Sequence, residues 1–422
     1  MSNNNNKHAT KRSGAHRAPR RAMERACRGL AFFLLVLAAT ACAPLPDLPE
    51  RPASYALPVE EGRHTTIGQA VATLEEGHPD ESGIYSLSDP YEAFAVRALL
   101  ANAAQRTLDV QYYIWRNDLT GTLLLDSLRQ AADRGVRVRF LLDDSANAGI
   151  DHLLAALDSH PNIEVRLFNP LALRSPRWIN YLVDFSRLNR RMHNKSFTAD
   201  NQATIIGGRN IGDEYFGATR DILFSDLDVL AVGSVVYDIS DDFDRYWNSQ
   251  SAWPASALLP EPKPDELTRL REKAEAIAAG APAKAYTDAL ETSSLVRELL
   301  DLSIELEWAP TVMLSDDPRK VLGNVPPEET VAFDLQRYFG NPESHLDLVS
   351  SYFVPTETGV RYLVDLAQQG IEIRILTNSL ASTDVPAVHA GYAKWRKPLL
   401  KAGIKLYETR PDNDPDDSST GA

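Results

Sequence analysis

The segment "LDVQYYIWRNDLTGTLLLDSLRQAADRGVRVRFLLD" from Leu108 and the segment "LDLVSSYFVPTETGVRYLVDLAQQGIEIRILTN" from Leu346 follow one pattern. Each opens on an apolar strand, enters a helix at a glycine, stops the helix at a second glycine and continues as an alternating strand. Leu108 precedes Gly121 by 13 residues, and Leu346 precedes Gly359 by 13. Strand and helix segments each have one apolar face, and they bury those faces against one another as sheet and covering layer. A repeat of this order therefore predicts two α/β units on one plan. After the first copy, "IDHLLAALDS" reads as a helix and "IEVRLFNP" as a strand, and the alternation predicts a largely parallel sheet. The pattern divides the chain into a signal-like segment 1–42, a proline-rich tether and lead-in 43–84, a first unit 85–250, a charged helical insertion 251–327 and a second unit 328–422. Forty-four per cent hydrophobic residues is enough for a sizeable core in each unit.

The densest chemistry lies at 190–210, "RRMHNKSFTADNQATIIGGRN". A period of two puts His193, Lys195 and Phe197 on one face of a strand. Asp200 and Asn201 signal a turn, and "QATIIGG" reads as the returning strand. Gly207 and Gly208 lack a Cβ and allow close approach of the backbone to a ligand, and Asn210 adds an amide donor. A neutral imidazole can attack phosphorus and form a phosphohistidine. A lysine beside it neutralises charge on the non-bridging oxygens. These residue types suit a phosphodiester, with His193 and Lys195 as the reacting pair and Lys195, Asn210, Gly207 and Gly208 as the phosphate cradle. No metal-ligand cluster is apparent, so neither metal nor cofactor is expected.

His193-x-Lys195-x4-Asp200, followed by Gly207-Gly208-x-Asn210, resembles the HKD motif of the phospholipase D superfamily. The wider stretch "LNRRMHNKSFTADNQATIIGGRNIGDEYF" is similar to the bacterial cardiolipin synthase branch, and the likeness covers about residues 85–410. The resemblance implies a pseudo-dimer of two α/β/α sandwich units, with one HKD motif from each unit meeting at a single site. It implies that His193 is one of two catalytic histidines, nucleophile or general acid, and that Lys195 and Asn210 bind phosphate. Asp200 belongs to the catalytic motif, with bracing of the hairpin as its expected part. A later acid is expected to orient the histidine; Asp228 fits that place, with Asp226 as the alternative. Asp213 and Glu214 either line the site or cap a helix.

The amino terminus adds a location. Residues 1–29 carry eight Lys or Arg and one acid, and "LAFFLLVLAATA" then runs up to Cys42. A basic region, a short apolar run and small residues read as a secretory signal, too short to span a bilayer. Met23 offers a second start with a complete signal behind it. "AATAC" resembles a bacterial lipobox with Cys42 as the lipidated residue, and Ala43 after it favours the outer membrane. Loss of residues 1–42 takes Lys and Arg from 44 to 36 and Asp and Glu from 58 to 57, leaving a net charge of −21. Such a surface repels polyanions, and nucleic acid is not an expected partner. The expected partners are membrane phospholipids.

Two spacings locate the missing second motif. Gly135 precedes His193 by 58 residues, and the same step from Gly370 reaches 428; Leu167 precedes it by 26, and the same step from Leu406 reaches 432. Both fall beyond Ala422, so the expectation is a chain cut before its second HKD motif, with an incomplete second unit and impaired activity. The leading function is phosphatidyl transfer or phosphodiester hydrolysis on lipids through a phosphohistidine, with the acceptor alcohol open. The alternatives are a phosphodiesterase acting on nucleic acid, which salt-sensitive DNA cleavage would reveal, and a non-catalytic lipid-binding protein on the same fold, which would bind lipid without turnover.

Overall fold

The structure is a computed structural model and describes residues 45–218, 226–323, 325–383 and 385–410. Cys42 and the signal-like segment lie outside the described residues. The chain separates into two units, Met1–Thr330 and Val331–Ala422.

In the first unit, β1 (Ser82–Leu87) and α1 (Pro90–Ala103) lead into β2 (Thr107–Tyr112), α2 (Leu119–Asp133), β3 (Arg137–Asp143), α3 (Asp151–Asp158) and β4 (Ile163–Phe168). Two short helices follow, α4 (Trp178–Val183) and α5 (Phe185–Leu188). Then come β5 (Ser196–Ala199), β6 (Ala203–Gly207), α6 (Asp213–Phe216), β7 (Asp228–Gly233), α7 (Ser234–Trp247) and β8 (Ala252–Pro254). With β9 (Glu307–Ala309) they form one sheet in the order β8-β4-β3-β2-β5-β6-β7-β1-β9. Its parallel pairings are β2 with β3 and β3 with β4; the rest are antiparallel. The expectation of a largely parallel sheet is thereby corrected. Parallel pairing needs a crossover, and helices cross between β2, β3 and β4, whereas β5 and β6 are joined by a tight turn that imposes antiparallel pairing.

Both faces of this sheet are covered. Phe94, Leu124, Leu125 and Leu128 of α1 and α2 share one apolar cluster with Val110, Val138, Phe140 and Val165 of the strands. On the other face Phe243 and Trp247 of α7 join Leu141 and Phe168. Residues 251–327 supply β8, which pairs with β4, and β9, which pairs with β1. Their helices α8 (Glu266–Ala278), α9 (Lys284–Thr292) and α10 (Ser294–Leu300) place Leu270, Tyr286 and Leu295 in the main core cluster of the first unit.

The second unit contains a parallel three-stranded sheet, β10 (His345–Val349), β11 (Glu372–Asn378) and β12 (Lys405–Thr409). Helices α11 (Glu357–Gln368) and α12 (Arg396–Lys401) pack Val360, Leu363, Leu366 and Leu399 against Ile373 and Ile375. The repeat read from the sequence is visible in detail. Leu108 and Asp109 pair in register with Val138 and Arg139, as Leu346 and Asp347 do with Ile373 and Arg374. Asp118 caps α2 by accepting from the Gly121 N–H at 3.0 Å, and Thr356 caps α11 by accepting from Gly359 at 3.1 Å. Gly135 and Gly370 end the two helices with φ of 95° and 92°, a backbone conformation that glycine enters without the Cβ penalty.

Candidate active site

The chain reaches the site by passing the carboxyl ends of β3 and β4, where open α/β sheets bind ligands. Asp143, the last residue of β3, is fully buried and takes hold of the residues just before His193. It accepts from Arg191 Nε at 2.9 Å, from Arg191 Nη2 at 2.6 Å and from the Met192 N–H at 3.0 Å. The Asn169 amide holds the turn before that, donating to the carbonyls of Arg187 and Arg190. His193 and Lys195 then lie just ahead of β5, not within it. Strand pairing begins at Ser196 because its partner Gln111 stands near the end of β2.

The two side chains nevertheless converge. Lys195 Nζ donates to the His193 carbonyl at 2.7 Å and lies 3.2 Å from His193 Nδ1. The Tyr113 ring packs 4.9 Å from the His193 ring, and Lys195 Nζ is 5.8 Å from the centre of the same tyrosine. Lys195 is buried while His193 keeps an exposed face. Desolvation lowers the imidazole pKa to about 4, with the Lys195 charge as a second cause. Desolvation also lowers the Lys195 ammonium to about 8, against the pull of Asp226 first and then of Asp228 and Asp143. At neutral pH the site thus holds a neutral imidazole beside an ammonium.

The hairpin explains the rest of the motif. Asp200 and Asn201 both take positive φ, 52° and 54°, and the Gln202 N–H closes the turn on the Ala199 carbonyl at 3.0 Å. That is a type I′ turn, for which Asp and Asn are suited. The Asp200 carboxylate accepts from the N–H groups of Gln105, Arg106 and Thr107. It sits at the far end of β5 from His193, makes no bond to the reacting pair, and braces the hairpin to the start of β2, the part expected of it within the motif. Gly207 and Gly208 make a close approach, but to protein. A Cβ on Gly207 would stand 2.3 Å from Asp228 Oδ1 and 2.6 Å from the Leu227 carbonyl, and one on Gly208 would stand 2.4 Å from Asp226 Oδ1. The Asn210 amide is engaged, accepting from the Ile114 N–H at 3.0 Å and donating to the Tyr215 hydroxyl at 3.1 Å.

Asp228 has no bond to His193. It accepts from Arg97 Nη2 at 2.7 Å and from the Arg209 N–H at 3.1 Å, a buried pairing that ties α1 to β7. The expectation that Asp228 orients the histidine is corrected to this structural role. Asp226, the alternative, faces the site more directly, beside Gly208 and within electrostatic reach of Lys195; burial raises its pKa. Asp213 caps α2 by accepting from the Thr120 N–H and hydroxyl, both at 2.9 Å, and Glu214 pairs with Arg116. Tyr113, Arg97 and Arg209 were not singled out from the sequence. The partners that matter, His193 for Tyr113 and Asp228 for Arg97, lie far along the chain, and strand pairing together with the packing of α1 on the sheet brings them together.

The family model described as "Cardiolipin synthase, PLD-like domain" matches residues 97–247 and 335–418. Cardiolipin synthase C of Escherichia coli strain K12 is 49% identical over 345 residues, 82% of this chain and 73% of that protein. An uncharacterized protein of Helicobacter pylori is 33% identical over 366 residues, 84% of this chain and 71% of its own length. Among solved structures, phosphatidylserine synthase of Haemophilus influenzae Rd KW20 aligns over 82% of this chain and 78% of its own, with a TM-score of 0.48 and 13% identity. The match of the family model over both units, together with this identity across most of the chain, establishes that the protein belongs to the cardiolipin synthase family of phospholipase D-like proteins.

Proposed function

We propose that the chain is a phospholipid phosphatidyltransferase or phosphodiesterase that works through a phosphohistidine at His193. The observation that carries the reading is the neutral imidazole held against the Lys195 ammonium in a chain of this family. In the resting site the ammonium engages the ring nitrogen Nδ1. An anionic phosphodiester competes for that ammonium and frees the ring lone pair for attack. The P–N bond forms as the P–O bond to the leaving group breaks. The acceptor oxygen then attacks phosphorus, the P–N bond breaks and His193 is regenerated. The leaving oxygen takes up one proton and the acceptor gives one up, so the transfer is proton-neutral whether the acceptor is a lipid alcohol or water. Lys195 stabilises charge on the non-bridging oxygens throughout.

His193→Ala is expected to abolish transfer from labelled phosphatidylglycerol and the acid-labile phosphoenzyme, with thermal unfolding unchanged. Undiminished transfer by this variant would remove His193 from the reaction. We further propose that Cys42 carries a lipid and holds the protein in the bacterial envelope, at the outer membrane facing the periplasm. The basic, apolar and small-residue order of residues 1–42 supports this reading. Cys42→Ser is expected to release the protein from the membrane fraction or leave it unprocessed, and normal maturation with full membrane retention would contradict the lipid anchor.

A further inference from the structure

The segment between β4 and β5 carries apolar side chains that the fold does not use. Trp178, Leu182, Val183 and Phe185 are 54%, 63%, 47% and 61% exposed, all within α4 and α5. What holds these helices is polar. The buried Asn180 side chain accepts from the Leu173 N–H and donates to the carbonyls of Leu173 and Arg177, each at 2.8 Å. Arg174 and Arg177 pair with Asp144 and Asp151 beneath. Leu188 is the single apolar side chain of the two helices that is fully buried. An exposed apolar group fixed by polar struts marks an interaction surface.

Charge says which partner it fits. Residues 171–195 contain six Lys or Arg and one acid, in a chain whose formal net charge is −14. Subtracting Asp143, Asp144 and Asp151, which pair with these arginines, still leaves the segment at +2. The Arg190 guanidinium is exposed and donates to the Val321 carbonyl rather than to a carboxylate. Tryptophan and aliphatic side chains set among cations match the boundary of an anionic bilayer, where rings sit at headgroup level and cations meet lipid phosphates. Leu188 precedes His193 by five residues, and the Asn169 amide fixes the turn between them by donating to the carbonyls of Arg187 and Arg190, so α5 runs directly into the segment that carries the reacting pair. Among the described residues no helix is long and apolar enough to cross a membrane, and α4 and α5 are only six and four residues long.

We propose that α4 and α5 form a docking surface for an anionic phospholipid bilayer, with Trp178, Leu182, Val183 and Phe185 entering the interface and Arg190 meeting lipid phosphate, so that substrate passes from the bilayer to His193 without crossing water. The proposal deepens the phosphatidyl-transfer reading and rests on it for the choice of lipid as partner.

The test uses the full chain and vesicles of phosphatidylglycerol with brominated acyl chains. The chain has six tryptophans, so the difference between parent and Trp178→Phe isolates the quenching of Trp178. Trp178 is expected to be quenched, and Leu182→Glu combined with Phe185→Glu is expected to abolish that quenching. The same double variant is expected to lose about tenfold or more in turnover of vesicle substrate, since two buried apolar side chains are withdrawn. Its turnover of a short-chain phosphatidyl substrate below the micellar concentration should match the parent. Circular dichroism should confirm an unchanged fold, as both residues face solvent. If the parent turns over neither substrate but Trp178 is still quenched in the patch-dependent way, the docking surface stands and phosphatidyl transfer falls. Absence of Trp178 quenching, or equal vesicle turnover by the double variant, overturns the proposal. A concentration-dependent dimer that shields Trp178 and is lost in the double variant overturns it in favour of self-association.

Discussion

Lys195 and His193 place opposite demands on pH. Attack on phosphorus needs the imidazole without its extra proton, and the low pKa of about 4 keeps it so from mildly acidic pH upward. Charge neutralisation needs the ammonium, and its pKa of about 8 makes that form fall away as pH rises. The activity is therefore expected to rise through about pH 4, hold across neutrality and fall through about pH 8 in a profile of kcat/KM, which reports the free enzyme. An acidic limb near the ordinary histidine value of 6.5 would show that His193 is not held in this desolvated state. Because desolvation outweighs the Lys195 charge, Lys195→Met is expected to return the His193 pKa only part of the way, as followed by NMR of the ring. Tyr113 supplies part of that desolvation by covering both groups, and nothing in its sequence surroundings marked it.

The β5–β6 hairpin shows what a motif can and cannot disclose. The spacing of His193, Lys195, Asp200 and the glycine pair announced a turn and a returning strand, and both are present. It did not disclose what Asp200 binds, because Gln105, Arg106 and Thr107 lie more than ninety residues earlier in the chain. Nor did alternation of strand and helix reveal strand direction, which depends on how each connection crosses the sheet. The Asp200 carboxylate satisfies three N–H groups at the start of β2, and Asp200→Ala leaves them without it. Of the three, only the Thr107 N–H is cut off from water, so the expected loss is about 1–3 kcal/mol, the cost of one stranded buried donor. Urea unfolding should show this loss for Asp200→Ala and none for His193→Ala. An Asp200→Ala variant with parental stability but no activity would return Asp200 to the chemistry.

Across the whole chain, the repeat supplies the same ion pair twice in two environments. Asp109 and Arg139 stand at matched positions of β2 and β3, and Asp347 and Arg374 at the corresponding positions of β10 and β11. Geometry is nearly the same, with Arg139 Nε 2.6 Å and Arg374 Nε 2.7 Å from their carboxylates. Surroundings are not. The first pair is 2% exposed or less, lies under α7, and gains Asp244 at 2.7 Å and the rings of Phe243 and Trp247 over the guanidinium. The second pair is 49% and 46% exposed. The sequence repeat made the two pairs visible as equivalents, but burial follows from the helix that covers one sheet face and could not be read from the strands. Removing one member of a buried pair strands a charge, whereas an exposed pair is screened by water and salt. Arg139→Met is therefore expected to cost about 3–5 kcal/mol, because it leaves Asp109 and Asp244 buried without their cation. Arg374→Met is expected to leave unfolding unchanged within error. Calorimetry of the two variants beside the parent decides the matter: equal losses would mean that the repeated pairs share one environment, contrary to the burial of the first beneath α7.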